Sequence, residues 1–411
     1  MQILVVNSGS SSIKFSIFAA EAERDGERTV TPQSLLEGEL SGIGETESTL
    51  KVQSWDAGKS STAKVGIHGV GEAIAEVLSV ISSSGMPKFE AVGYRVVHPG
   101  PKLREHVRIT PDVLNDLEAA SEFAPLHDPE AVQMIRAFMQ RFPTLPHFAC
   151  FDTVFHQTMP AEATTYPLPP EYAERGVRRY GFHGLSCESI VRQLKREGDV
   201  PTRMVIAHLG SGCSVTALVN GRSVDTTMGL TPTGGVVMGT RSGDLDPGLV
   251  LYLLRDAKGE RAAEVETLLN HRSGLVALSG MDNDVKKIRA AAEGSARATL
   301  ALKIFTRSVT KAMGGFSWLL GGLDAIVFAG GIGEHDAQTR AEVVGGLGAL
   351  GVSLDALLNL NLHKLKDEAG ADGIQRISAK NSQVAVLVVP AREDQMIAVH
   401  VERMARQQEH A

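Results

Sequence analysis

The chain has 411 residues, 43% hydrophobic and 22% charged, and a net charge of −7, so it is long for a single core and two domains are expected. The acidic balance, the absence of a basic tract and an aromatic content of only 5% argue against nucleic acid or an anionic membrane as partner. No apolar run approaches a membrane span and no basic leader precedes the first strand. The three cysteines, Cys150, Cys187 and Cys213, lack metal-ligand spacing, so a reduced, cytoplasmic protein is expected.

The run Ile3-Leu4-Val5-Val6 reads as a strand entering the turn Asn7-Ser8-Gly9-Ser10-Ser11-Ser12, with Lys14 beyond it and a second strand from Ile13 to Phe18. Small residues let backbone N–H groups approach an anion, hydroxyls donate to phosphate oxygens, and Lys14 adds a point charge. The spacing is not that of a P-loop. A phosphate grip on a β-hairpin is one reading and an ordinary surface hairpin the other. Segment 21–28 is polar and reads as loop.

Thr110-Pro111-Asp112 carries an N-cap, a proline at the first helical position and an acidic first turn. Asp128-Pro129-Glu130 repeats it, with Val132, Ile135, Phe138 and Met139 as an apolar face. His147 to Phe151 is a strand ending at Asp152, and Ser186 caps a helix carrying Ile190, Val191 and Leu194. Arg203 to Ala207 is a strand running into His208-Leu209-Gly210-Ser211-Gly212-Cys213-Ser214 and then the strand Val215 to Val219. Asn220-Gly221 turns it back through Arg222 to Thr226. A long helix spans about Ser295 to Leu320. Asp324 to Phe328 is a buried strand entering a third glycine turn, Gly330-Gly331-Ile332-Gly333-Glu334. The G-x-G-x-x-G match at Gly346–Gly351 follows a helix rather than a strand, so it is no dinucleotide fingerprint. Segment 365–373 reads as loop, Gln383 to Val389 as a closing strand and Gln395 onward as a closing helix. The alternation points to an α/β fold. Two similar strand–turn–strand units about 200 residues apart point to internal duplication around a cleft, and three glycine turns after strands point to a polyphosphate.

Further stretches carry reactive groups: Gly93-Tyr94-Arg95-Val96-Val97-His98, Ala124-Pro125-Leu126-His127, Phe151 to Pro160, Tyr180-Gly181-Phe182-His183-Gly184 and Met238-Gly239-Thr240-Arg241-Ser242-Gly243-Asp244. In this order, with the N-terminal turn and the Gly331 loop, the chain resembles the acetate kinases of the acetokinase family, within the actin/Hsp70/sugar-kinase superfamily. The resemblance runs from Met1 to about His400.

It implies reversible, in-line phosphoryl transfer from ATP to acetate, giving ADP and acetyl phosphate. It also implies Mg²⁺, with Mn²⁺ as an alternative, and a homodimer. The fold implied is two duplicated actin-like (ribonuclease H-like) domains flanking an active-site cleft. The first domain would be 1–150, completed by about 386–411, and the nucleotide-binding second 151–385. Arg95 and Arg241 then hold carboxylate and phosphoryl group, as planar guanidinium forks suit, and His183 and His127 donate to the same oxygens. Acetate is already ionised, so Asp152 is expected to orient an arginine or the metal shell rather than act as a strong base. Asn7 and Glu393 match metal-associated positions. Val97, Leu126, Phe182 and Pro232 match an apolar pocket for the acetate methyl. Nucleotide contacts carry over onto Ser10, Ser12 and Lys14, onto His208, Leu209, Gly210, Ser211 and Gly212, onto Asp284, Val285 and Lys286, and onto Gly331, Ile332, Gly333, Glu334 and His335. The small Gly331 leaves room for adenosine and favours ATP over pyrophosphate.

The chain departs from the family pattern at Tyr94, Pro99 and Pro101, Ser211, Thr233-Gly234, Val285-Lys286 and Arg392, which bears on acceptor preference and nucleotide affinity. The rival readings are a propionate or other short-chain acyl kinase and an actin- or Hsp70-like protein using ATP as a clamp.

Overall fold

The computed structural model describes all residues except 10–11, 22–30, 45–46, 55–58, 84, 122–127, 199, 257–260, 363–372 and 410–411. The chain divides into two units, Met1–Val154 with Arg392–Ala411, and Phe155–Ala391.

In the first unit, the strands are β1 (Gln2–Gly9), β2 (Ser12–Ala19), β3 (Gln33–Ser41), β4 (Ser48–Ser54), β5 (Lys59–Val65), β6 (Ala91–Val96), β7 (Val107–Arg108) and β8 (His147–Phe151). They form one sheet in the order β5-β4-β3-β2-β1-β6-β8-β7. The unbroken apolar run Ile3–Val6 is 0% exposed at every residue, as a strand covered on both faces requires. β1 and β2 form the hairpin read from the sequence, with Gly9 opposite Ser12 and Asn7 opposite Lys14. β1 runs parallel to β6, and β6 to β8, so the carboxyl ends of three neighbouring strands lie along one edge. Helices Val70–Ile81 and Asp128–Arg141 bury Ile74, Val77, Ile135 and Phe138 in the core of this sheet. Helix Glu393–Glu409 packs against β1 and β6. Thr110 caps helix Pro111–Ala120 as its sequence implies, accepting from the Val113 N–H.

Gly38 on β3 lies under the ring of Phe15, so close that an added Cβ would fall 2.1 Å from the ring carbon Cζ. Phe15 is wholly buried and has nowhere to retreat. Gly38→Ala is expected to destabilise the first unit by about 1–3 kcal/mol, read as a lowered midpoint in urea at unchanged slope.

The second unit holds β9 (Arg203–Leu209), β10 (Cys213–Val219), β11 (Arg222–Thr226), β12 (Ala325–Ala329), β13 (Gln375–Arg376) and β14 (Ala385–Val388), in the order β11-β10-β9-β12-β14-β13. The β10–β11 turn has Asn220 and Gly221 at φ 51° and 74°, the left-handed pair that a two-residue hairpin needs. β12 is parallel to both β9 and β14. The order β11-β10-β9-β12-β14 repeats β3-β2-β1-β6-β8 of the first unit: an antiparallel meander, then two parallel strands. Helix Ala296–Leu319 starts at Ser295, whose hydroxyl accepts from the Ala298 N–H.

Three local expectations are corrected. Ser186 is not a cap but sits inside helix Gly184–Glu197, whose N-cap is His183 in a left-handed conformation, φ 59°. The Gly330–Glu334 turn is a short helix, Gly330–His335, because the Glu334 carboxylate accepts from the Gly330 N–H at 3.0 Å and closes the turn. The chain returns to the first unit at Arg392 rather than near 386, because β14 is held in the second sheet by β12. The polar segments 21–28 and 365–373 fall largely outside the described residues. Cys150, Cys187 and Cys213 are all buried and none is in a disulfide.

Candidate active site

In the first unit, the charged groups gather at the carboxyl ends of the parallel strands, the edge where open α/β sheets place ligands. Asn7 comes from β1, Arg95 from β6, and Asp152 from the residue after β8. Arg95 grips Asp152 with a two-toothed fork, Nε to Oδ1 at 3.0 Å and Nη2 to Oδ2 at 2.6 Å. Its other arm, Nη1, donates to Asn7 Oδ1 at 3.3 Å and lies 3.6 Å from Glu393. Burial works against the guanidinium charge, but Asp152, Glu393 and Asp394 outweigh it and raise the Arg95 pKa above its ordinary value. Glu393 and Asp394 open the helix Glu393–Glu409, where acidic groups also meet the positive end of the macrodipole. Asn7 Nδ2 donates to Asp394 Oδ1 at 3.0 Å. Burial lifts the Asp394 carboxyl above the ordinary range, against the pull of Asn7, Lys14 and Arg95.

The oxygens of Asn7 and Glu393, with the carboxylates of Asp152 and Asp394 beside them, fit a hard divalent cation. Sequence reasoning named Asn7, Arg95, Asp152 and Glu393, and the structure brings them together. It missed Asp394, whose acidic pairing with Glu393 at a helix start reads only as a favourable dipole contact. Val97 is half-buried just beyond β6. Tyr94 points away from Arg95 into the core, where its hydroxyl meets His147 Nδ1 at 2.7 Å and its ring stacks on His147. The departure from the family pattern at Tyr94 is thus a packing change.

In the second unit, a separate cluster forms around the end of β9. His183 Nδ1 is bonded to Ser214 Oγ at 3.0 Å, and its ring stacks on His208 at 4.1 Å between centroids. His208 Nδ1 is bonded to Ser186 Oγ at 2.8 Å. Arg241 Nη1 donates to the Pro232 carbonyl at 3.2 Å. Gly212 wedges between these groups: an added Cβ would lie 3.3 Å from His183 Nε2 and 3.4 Å from Arg241 Nη1. His183 carries a left-handed backbone, a strain of the kind that clusters at functional sites. Behind it, His156 Nε2 is bonded to the Phe182 carbonyl and Nδ1 to Ser223 Oγ, both at 2.9 Å.

Burial pushes the His156 pKa down to about 4 despite the bond to the Phe182 carbonyl. In the unfolded chain it titrates near ~6.5, so below that pH the unfolded state binds the extra proton. Stability is full above pH ~6.5 and is lost as pH falls toward about 4, by up to about 3 kcal/mol. Urea titrations at pH 7.5 and 5 should show this drop, and His156→Gln should show a shallower one.

The remaining nucleotide candidates divide. Leu209 is buried, Gly210 and Gly212 are half-buried and Ser211 is exposed. Asp284 caps helix Val285–Ala291 by accepting from the Lys286 N–H, Val285 is 3% exposed in the core, and Lys286 is exposed. Val285 therefore offers little to a ligand. In the short helix after β12, Gly331 and His335 are exposed, Ile332 is half-buried and Gly333 is buried. Arg340, 1% exposed, donates to the Gly333 and Glu334 carbonyls. Phe182 is 1% exposed and Pro232 is buried. On β2, Ser12 is half-buried and Lys14 exposed. Ser10, Leu126 and His127 lie outside the described residues.

Two α/β units that share a five-strand order, each with ionic or imidazole groups at strand ends, are the frame of an enzyme built by repetition. Residues 2–399 match the model of the acetokinase family. An acetate kinase from Halothermothrix orenii is 40% identical over 409 residues, covering 97% of this chain and 98% of that protein. The crystal structure of Porphyromonas gingivalis acetate kinase superposes with a TM-score of 0.81 at 33% identity, covering 98% and 99% of the two chains. That of a propionate kinase from Francisella tularensis gives 0.85 at 35% identity, with the same coverage. The chain belongs to the acetokinase family. It is a kinase of the phosphotransferase class with a carboxyl group as acceptor. No helix among the described residues is long and apolar enough to cross a membrane.

Proposed function

We propose that the chain transfers the γ-phosphoryl group of ATP to acetate, reversibly and by direct in-line displacement, forming ADP and acetyl phosphate. The observation that carries this reading is the Arg95 fork on Asp152. A guanidinium locked in place by a buried carboxylate presents its remaining edge, beside Asn7 and Glu393, at a fixed angle. Phosphoryl transfer needs positioning and charge neutralisation more than covalent help. Arg95 holds the carboxylate and neutralises charge developing on the equatorial oxygens. In this reading Arg241 and His183, neighbours of Gly212 in the second unit, are assigned as donors to the phosphoryl group. Asp152 orients Arg95 and takes no proton, since acetate reaches the site ionised. Asn7 and Glu393 would hold Mg²⁺, which when bound supplies charge stabilisation to the phosphate oxygens. In this reading Ser12 and Lys14, His208–Gly212 and Gly331–His335 are assigned to the nucleotide, and Val97, Phe182 and Pro232 to the acyl methyl.

The two units are read as actin-like domains, the second binding nucleotide. A homodimer in the cytoplasm is the assembly this reading implies. Its support within the second unit is helix Pro247–Asp256, where Leu249, Leu251 and Tyr252 are 41%, 52% and 60% exposed, an apolar face of the sort partners cover. The second reading is a propionate kinase, favoured by the likeness to the Francisella tularensis structure. One methylene is worth only ~1–3 kcal/mol in such a pocket.

Trapping acyl phosphate as hydroxamate, with acetate, propionate and butyrate crossed with ATP, GTP and pyrophosphate, tests both readings. The highest kcat/KM is expected for acetate with ATP. Higher kcat/KM for propionate selects the second reading, and slow ATP hydrolysis without hydroxamate rejects both.

A further inference from the structure

Asn7 sits between two groups of opposite hydrogen-bonding character. Its Nδ2 faces Asp394 Oδ1 at 3.0 Å, and its Oδ1 faces Arg95 Nη1 at 3.3 Å. An ionised carboxylate only accepts and a guanidinium only donates. The side-chain amide of Asn7 is therefore held one way round, and a flip would put N–H against N–H and oxygen against oxygen. Asn7 is 9% exposed and ends the fully buried run of β1, so it has little freedom to escape by rotating its stem. Asp394 is itself placed by the first turn of helix Glu393–Glu409, whose Met396, Ile397, Ala398 and Val401 are buried.

We propose that Asp394 is a positioning residue that fixes the amide of Asn7 with its carbonyl oxygen turned toward Arg95 and Glu393, so that Asn7 presents oxygen rather than N–H to a divalent cation. The proposal rests on the reading above that Asn7 and Glu393 hold the metal. Asp394 acts through Asn7 and is not itself a ligand. Groups that orient a metal ligand from behind typically change metal affinity by ~10–100-fold when removed. Asp394→Asn keeps the shape of the side chain but can donate as well as accept, so it no longer dictates the orientation of Asn7.

The test is binding of Mn²⁺ in the presence of saturating ADP, followed by electron paramagnetic resonance, in the wild type, Asp394→Asn, Asn7→Ala and the double variant. Asp394→Asn is expected to weaken Mn²⁺ binding about tenfold, and the double variant to bind no more weakly than Asn7→Ala alone, since the effect runs through Asn7. Asp394→Glu, which remains acceptor-only, should recover part of the loss. Wild-type affinity in Asp394→Asn overturns the inference, and so do losses that add in the double variant, which would make Asp394 an independent ligand. A wild type that binds no Mn²⁺ overturns the metal assignment of Asn7 and Glu393, and this inference with it.

Discussion

Arg95→Ala is expected to lower kcat on the order of 10³-fold or more in the hydroxamate assay and to destabilise the first unit as well. The activity loss follows from removing a fork whose planar geometry no water or lysine reproduces. The stability loss follows from Asp152, only 1% exposed, losing a two-toothed partner. Removing one member of a buried ion pair costs about 3–5 kcal/mol, because the other charge stays behind. Glu393 and Asp394 lose the same cation, so repulsion among three carboxylates adds to the cost. Adding Asp152→Asn to Arg95→Ala should restore much of the stability and none of the activity. Arg95→Lys should retain charge and part of the stability, with kcat still well below wild type. Near-normal turnover in Arg95→Ala would remove the phosphoryl clamp from the mechanism.

Arg241→Ala is expected to lower kcat by a similar order, 10³-fold or more, with a different stability signature. The side chain reaches the Pro232 carbonyl and the Met238 sulfur, and rests beside Gly212 and His183. The loop that carries it is also held by backbone and hydroxyl bonds that do not involve the guanidinium: Gly239 N–H to the Ser211 carbonyl, Thr240 Oγ1 to the Asn270 carbonyl, and Thr233 Oγ1 to Asn270 Oδ1. The urea midpoint should therefore move much less than in Arg95→Ala while turnover falls as far. A large loss of stability with kcat reduced only in proportion to the unfolded fraction would assign Arg241 a structural role instead.

How far the candidate site was legible depended on how local its signals are. Thr110 was read as a cap because a cap is decided within four residues. The same rule misassigned Ser186, because the strained His183 begins that helix and the Ser186 hydroxyl is bonded to His208 on another element. Asn7, Arg95, Asp152 and Glu393 were named from their motifs, but nothing in those motifs says which of them touch. Asp394 was missed because its partner Asn7 is 387 residues away along the chain. Tyr94 was read as bearing on the acceptor, since strand alternation sets its direction and only the sheet packing shows which face is core.

The sequence by itself determined the α/β class and most strands and helix starts, because apolar periodicity and capping act over a few residues, and its resemblance to the acetokinase family supplied the identity of the reactive groups. The tertiary structure alone decided that Asp152 grips Arg95 and that Asp394 turns Asn7. It also decided that Gly212 lies close against both His183 and Arg241, and that Val285 is spent on the core. Those contacts join residues 57, 88 and 387 positions apart. Those of the first unit exist because parallel strands β1, β6 and β8 bring distant segments to one edge, where the energies of charge and burial depend on neighbours that only the folded chain supplies.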